Sequence, residues 1–453
     1  MSSTQSRIIR TTAYLTIGTF VAQGLGTASQ FLLAAWLTPS DFGLFATANA
    51  SLFILFALVN LGDVTGYLSN QGWSERLLLK STLKLNLLLS FLALLVASVY
   101  LIQDRIILGW IVALLAVQVP LMGRTLALYA IAVRHGRVRL IVLSQMAAAS
   151  LKLLIGILVA ATWQSPVALA LALIAYSITM AIPLEVFLRR NMPREASDET
   201  PLRKARFKWA AHSLSQAFPT QIDYAVVAVV SSPYVLGLYY FAYQATAGIS
   251  ALLTGPLMKS SLAEFGQLEA DERSVAMSLL RKVTGAVAFT VVCLALLVYV
   301  GQPLFPDSWV EAPVVIVLLL GSLPSRFVAP VAESRQVADD RWWRSASVNL
   351  IDTVGTAATA LVALTDSVLA LAGAIAIWKL IIAVIRIALC FPEAGPVEIG
   401  RAIMWPLLSL MTCSIAALTW STGHSWQILS LAATLGAVIV TRALLVSRRR
   451  ALR

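Results

Sequence analysis

Charge is scarce in this chain: 12% of its 453 residues are charged against 59% hydrophobic, and the mean hydropathy is +0.82. An ordinary soluble domain carries about 25% charged residues, so that class is excluded. Cysteine is rare too, with only Cys293, Cys390 and Cys413, each inside an apolar stretch. A disulfide framework needs paired cysteines in exposed loops, and these three read as small buried hydrophobes. His135, His212 and His424 are scattered, without metal-ligand spacing to Cys or acids. No Gly-x-x-x-x-Gly-Lys-Ser/Thr phosphate loop occurs. No catalytic residue, metal or cofactor is expected.

Lysine and arginine are also missing from every second gap between the apolar stretches. The gaps Thr38 to Asp41, Trp163 to Pro166, Ser231 to Tyr234, Gly301 to Pro313, Thr365 to Ser367 and Ser421 to Trp426 contain none. The alternate gaps are basic: Arg76, Lys80 and Lys84; Arg134, Arg137 and Arg139; Arg189 through Lys208; Lys259 through Lys282; Arg335, Arg341 and Arg344; Arg401; and the tail Arg442 to Arg453. Only Arg105 breaks the pattern. Short cytoplasmic loops of membrane proteins carry excess Lys and Arg, so the alternation places both termini in the cytoplasm. The net charge of +12 then belongs to topology and to the anionic inner leaflet, with no nucleic acid implied.

A span needs ~20 apolar residues, so about fourteen spans nearly exhaust the chain and leave no room for a folded extramembrane domain. They are expected at 10–37, 42–68, 77–101, 106–133, 138–162, 166–189, 207–230, 234–258, 276–300, 312–334, 345–364, 367–391, 402–420 and 426–446. Each is taken as helical because lipid tolerates no unpaired backbone. Arg7 and Arg10 precede the first run as in a signal peptide, but the run is too long for one and reads as an uncleaved helix. The expected fold is an all-α polytopic membrane protein of about 14 helices: a lobe over 1–195, a second over 196–392 and a terminal pair over 393–453. The charged run Glu269 to Lys282 is expected to lie on the inner leaflet, and the linker Asn191 to Pro201 to join the lobes.

An internal repeat supports the two lobes. The first outer turn reads Pro39-Ser-Asp-Phe-Gly43-Leu44-Phe45, and the turn after the seventh span reads Pro233-Tyr-Val-Leu-Gly237-Leu238-Tyr239. Both are Pro-x-x-x-Gly-Leu-aromatic at the same point of a six-span block. The segment Ala34 to Phe45, with Pro233 to Ala242, Gly255-Pro-Leu and Phe265, resembles polysaccharide flippases. These belong to the multidrug/oligosaccharidyl-lipid/polysaccharide exporter superfamily. The resemblance implies two six-helix bundles around a central cavity; its motifs are structural and identify fold better than cargo.

Polar residues recur at helical period in four spans. Thr12, Thr16, Thr19, Gln23, Thr27 and Gln30 stripe the first; Asn49, Phe53, Phe56, Asn60, Asp63 and Tyr67 the second. Gln216, Thr220 and Asp223 share a face of the seventh, and Tyr239, Tyr243, Thr246, Ser250 and Thr254 of the eighth. Such stripes glue helices together in many membrane proteins; on four equivalent helices they favour a wet cavity lined by Gln23, Gln30, Asn49, Asn60, Gln216 and Tyr243. Inside the spans stand Arg124, Lys152, Arg326, Lys379 and Arg386, against the acids Asp63, Asp223 and Asp352. Each such charge costs ~2.5–3.5 kcal/mol at the bilayer centre, so it faces protein or water. The surplus of cations suits an anionic cargo, and the acids are candidates for ion coupling. Bland readings stand beside these: Arg386 snorkelling to the interface, Asp63 capping a helix, and Lys379 pairing with Asp352.

With these features, the resemblance implies a transporter that flips an anionic lipid-linked oligosaccharide of the polyprenyl pyrophosphate type across a bacterial cytoplasmic (inner) membrane. Exopolysaccharide or O-antigen assembly is the implied setting, with membrane lipids and polysaccharide polymerase or assembly enzymes as partners. A lipid II-type flippase and a multidrug or cation exporter of the same superfamily are alternatives. A membrane glycosyltransferase or polymerase fits less well, because the longest outer gap holds only Asp307 and Glu311.

Overall fold

Three-residue turns set the packing of the longest helices. In the computed structural model α5 (Glu75–Ile102) and α6 (Ile106–Arg134) are joined through Asp104, whose φ of 58° is left-handed. After α6, Gly136 takes φ 66°, and the Arg137 amide reaches back to the Ala132 carbonyl at 2.9 Å, closing a glycine-capped helix end. Helix α7 (Val138–Trp163) then turns at Gln164 into α8 (Val167–Asn191). Turns this short leave antiparallel neighbours, and α5 packs on α6, α7 on α8, and α6 on α8.

The structure describes residues 18, 20–59, 61–68, 74–191, 210–211, 214–265, 273–338, 341–363, 367–391 and 394–421. The linker from 192 to 209, the start of the expected interfacial run, Asn60 and the fourteenth span lie outside these residues. The described chain is all helical and forms two compact units, residues 1–240 and 241–453. Seven described helices are long and apolar enough to cross a membrane, or eight with one bent pair counted as a span. The protein is therefore a multi-pass membrane protein. Leu87, Leu88, Phe91, Leu94 and Leu95 on α5 are exposed, as a lipid-facing surface requires.

In the first unit, residues 20–33 form α1, which precedes α2 (Pro39–Ser51). Thr38 caps α2 reciprocally with Asp41, and Pro39 stands in the first turn, where its missing N–H costs nothing. The expected continuous second span, 42–68, is instead broken into α2, α3 (Phe53–Leu58) and α4 (Asp63–Leu68). One break falls at Leu52, the other at Gly62, whose φ of 81° is open to glycine. The seventh span is interrupted as well: a 3-10 turn at Phe218–Thr220, carrying Pro219, precedes α9 (Ile222–Val230). Next, α10 (Pro233–Phe265) begins in this unit.

The two Pro-x-x-x-Gly turns meet. A Cβ on Gly43 would fall onto the Pro233 carbonyl, and one on Gly237 onto the Pro39 carbonyl and 2.9 Å from the Gly43 amide nitrogen. Repeated glycines thus allow a reciprocal backbone crossing that no side chain tolerates. Below it, Phe45 and Tyr224 each set an edge-to-face ring contact on Tyr240, at 6.0 and 5.8 Å.

In the second unit α11 (Arg273–Val300) packs on α17 (Pro396–Ser421), and α15 (Trp342–Val362) on α16 (Val368–Cys390). The expected tenth span is occupied by α12 (Ala312–Gly321), α13 (Leu323–Arg326) and α14 (Val328–Ala338), two halves bent by 41°. The Phe241 and Trp309 rings meet at 4.6 Å, tilted by 46°. Val328, Val331, Ile387 and Phe391 belong to its buried core.

Candidate functional site

The membrane-embedded charges sort by what they touch. Arg124 on α6 grips Glu185 on α8 through Nε at 3.1 Å and Nη2 at 2.8 Å, a bidentate pair with Arg189 adding a 3.3 Å contact. Both pair members are partly exposed, at 28% and 25%. Glu185 does not figure in the sequence reading of buried acids, although it sits one turn before the basic end of its helix.

Lys379 and Arg386 are drawn into one network. Lys379 Nζ donates to Asp352 Oδ1 at 2.8 Å and to Thr356 Oγ1 at 3.0 Å, and Trp378 Nε1 also donates to that carboxylate oxygen. Arg386 donates to Asn349 Oδ1 at 2.7 Å, Glu333 Oε1 at 3.2 Å and Asp352 Oδ2 at 3.3 Å. Arg386 is only 4% exposed, so it lies inside the helix packing and does not snorkel. Among these contacts two cations face two carboxylates. Residues 349, 352 and 356 fall on one face of α15, while 379 and 386 lie two turns apart on α16, which is why one cluster collects them all. Glu333, from α14, is the second acid missing from the sequence reading.

The remaining acids have internal partners. Asp223 Oδ2 accepts from the Tyr239 hydroxyl at 2.6 Å, and its Oδ1 accepts from the Tyr224 amide at 2.9 Å. Asp63 stands in the first turn of α4, where a negative charge suits the helix N-terminus, and accepts from Ser81 Oγ at 3.0 Å. Asn49 Nδ2 reaches the Tyr224 hydroxyl at 3.4 Å. Gln23 and Gln216 are half-buried. Among the described residues no three His, Cys, Asp or Glu side chains are grouped to hold a metal ion.

Two of the five cations have no hydrogen-bonded or ionic partner among the described residues. Lys152 lies on the stripe Val142, Gln145, Ala149, Lys152, Gly156 of α7, whose ends meet α1. A Cβ on Gly18 would strike Val142, and one on Gly156 would lie 3.4 Å from Leu33. In that register Lys152 is level with Ser29 and Gln30, whose Oγ and Oε1 atoms are buried and unmatched. Arg326 ends α13 at the bend of the tenth span. Its Nε and Nη2 are buried without a hydrogen-bond partner, and its guanidinium lies 5.3 Å from the centre of the Tyr243 ring.

A family model described as a polysaccharide biosynthesis protein matches residues 32–312, more than half of the chain. The chain belongs to this family. The family match includes both Pro-x-x-x-Gly turns, Arg124 and Lys152, whereas Arg326 and the Lys379–Arg386 network lie beyond it. No curated protein sequence matches. Among solved structures, the lipid II flippase MurJ in an inward closed conformation is similar at 12% identity, with a TM-score of 0.70, covering 97% of this chain and 99% of that one. An inward-facing multidrug resistance MATE family transporter of the MOP superfamily is similar at 12% identity and TM-score 0.56, over 89% and 95%. A eukaryotic MATE transporter follows at 11% identity and 0.53, over 89% and 98%. This member of the polysaccharide biosynthesis family therefore has the fold of the MOP exporter superfamily.

Proposed function

We propose that this protein flips an anionic lipid-linked oligosaccharide from the inner to the outer leaflet of a bacterial cytoplasmic membrane. The observation that carries the reading is the polysaccharide biosynthesis match on an exporter fold, spanning both copies of the repeated turn. In this reading there are fourteen helices with both termini in the cytoplasm, arranged as two six-helix repeats and a terminal pair. The alternation of basic gaps supports that orientation. The cargo is a polyprenyl pyrophosphate-linked repeat unit, and the protein moves it without acting as an enzyme.

Alternating access is the mechanism proposed. By the same orientation, the Gly43–Gly237 crossing lies on the outer side, and its loosening is the step that opens an outward path. A cargo or ion moving with the field gains ~2.3 kcal/mol per charge per 100 mV, so the membrane potential suffices as a source of drive. The internally partnered acids leave little to attract a cationic drug. Lipid II is a second cargo candidate, favoured by the full-length likeness to a lipid II flippase. The test is complementation of cells lacking the native gene, scoring surface glycan and lipid-linked intermediate. Restored glycan with loss of the accumulated intermediate supports the reading; survival of a lipid II flippase-depleted strain selects the second cargo. Failure of both, with the protein in the membrane, overturns flipping.

A further inference from the structure

Arg326 differs from Arg124, Lys379 and Arg386 in how its hydrogen-bonding edge is left. A guanidinium keeps its charge at any accessible pH, and although Arg326 is only half-buried, its Nε and Nη2 are shut off from solvent and call for a counter-charge or a ligand. Leu323–Arg326 packs against α11, α16 and α17. Of these, α11 and α16 contain no Asp or Glu, and α17 carries only Glu398, in its first turn. The nearby acids Glu333 and Asp352 are engaged with Arg386, Asn349 and Lys379. Among the described residues, no carboxylate from these helices pairs with Arg326.

The two unmatched atoms are Nε and Nη2, which form the side-on edge of the guanidinium. Two parallel N–H groups on that edge match two oxygens of one phosphoryl or carboxylate group. Tyr243 uses a different part of the same group, its ring lying 5.3 Å from the guanidinium carbon. An aromatic contact of that kind adds to the hold on the cation without consuming its in-plane donors. The adjacent Ser325 Oγ is buried and unmatched as well. All of this falls where the tenth span bends by 41°, and broken helices near the midplane are where transporters build binding sites.

We propose that the Nε/Nη2 edge of Arg326, backed by Tyr243 at the bend of the tenth span, seats one two-oxygen anionic group of the cargo. This rests on the reading of the protein as a transporter of an anionic saccharide-lipid, and narrows it to one seat in place of a diffuse basic cavity. The two sources of such a group are the lipid phosphate and an acidic sugar.

The test uses the purified full-length chain in detergent, titrated separately with dodecyl diphosphate, inorganic pyrophosphate and glucuronate. Binding is followed by intrinsic fluorescence, with thermal unfolding as the check on folding. Arg326→Gln is expected to weaken binding of one probe at least about tenfold, the scale of one lost charge-assisted hydrogen bond. Arg326→Lys keeps the charge but loses the fork and falls in between. Tyr243→Leu weakens the same probe more mildly. Dependence of either diphosphate on Arg326 assigns the seat to phosphate, and dependence of glucuronate assigns it to an acidic sugar. Equal affinity for all three probes in folded Arg326→Gln overturns the seat. Should that variant fail to fold, unchanged binding in both Arg326→Lys and Tyr243→Leu overturns it equally. Glycan export is scored separately: a protein that binds through Arg326 but exports nothing retires the transport reading alone. Normal export by Arg326→Gln retires the seat alone.

Discussion

Lys379 Nζ lies 2.8 Å from Asp352 Oδ1, with both side chains under 10% exposed. The pair holds α15 to α16, and Arg386 ties the same carboxylate to Glu333 and Asn349. Removing Lys379 leaves Arg386 alone between Asp352 and Glu333, a surplus buried negative charge that costs up to ~3–5 kcal/mol. Lys379→Met is therefore expected to lower the unfolding temperature in detergent sharply. Adding Asp352→Asn recovers much of the loss. An unaltered melt for the single variant contradicts this structural role.

Gly43 and Gly237 make a different prediction. Each alanine places a methyl group against a proline carbonyl of the opposite turn, and backbone cannot yield as a flexible side chain does. Either substitution is expected to cost ~1–3 kcal/mol of overpacking. Amide hydrogen exchange over residues 39–45 and 233–240 reads it locally. Faster exchange in both turns from a single substitution is the expected result, because the contact is reciprocal; no change in the opposite turn speaks against it.

Arg124 and Glu185 are tested by exchange of charge. Their partial exposure keeps the coupling near ~1 kcal/mol, at the low end for contacting residues. Arg124→Glu and Glu185→Arg are each expected to lower membrane abundance, and the double variant to restore it. Export that stays lost in an abundant double variant assigns Arg124 to cargo contact instead.

The repeated turns were legible because Pro and Gly punctuate the chain locally, and the long helices because apolar runs near 25 residues have few other solutions in lipid. The break of the second span was hidden. Its first interruption, at Leu52, falls in a stretch from 44 to 61 that holds no Gly or Pro, and only Gly62 marks the second. Charge pairing was less legible still. Arg124 meets an acid 61 residues away, and Arg386 one 53 residues away, so helix packing decides these partners rather than local spacing. Glu185 and Glu333 fall in the last turns of their spans, where an acid passes for part of the polar boundary. Reading them as membrane-embedded would have removed the apparent surplus of cations.

The most direct measurement is leaflet-resolved transport. The purified protein is reconstituted into vesicles carrying a short-chain lipid diphosphate-linked saccharide, under an imposed membrane potential. The fraction of saccharide exposed to an impermeant glycosidase is then followed in time. Protein-dependent movement between leaflets that weakens when the potential is collapsed is the expected outcome. Movement no faster than in protein-free vesicles, from a preparation with an intact melting transition, contradicts a flippase.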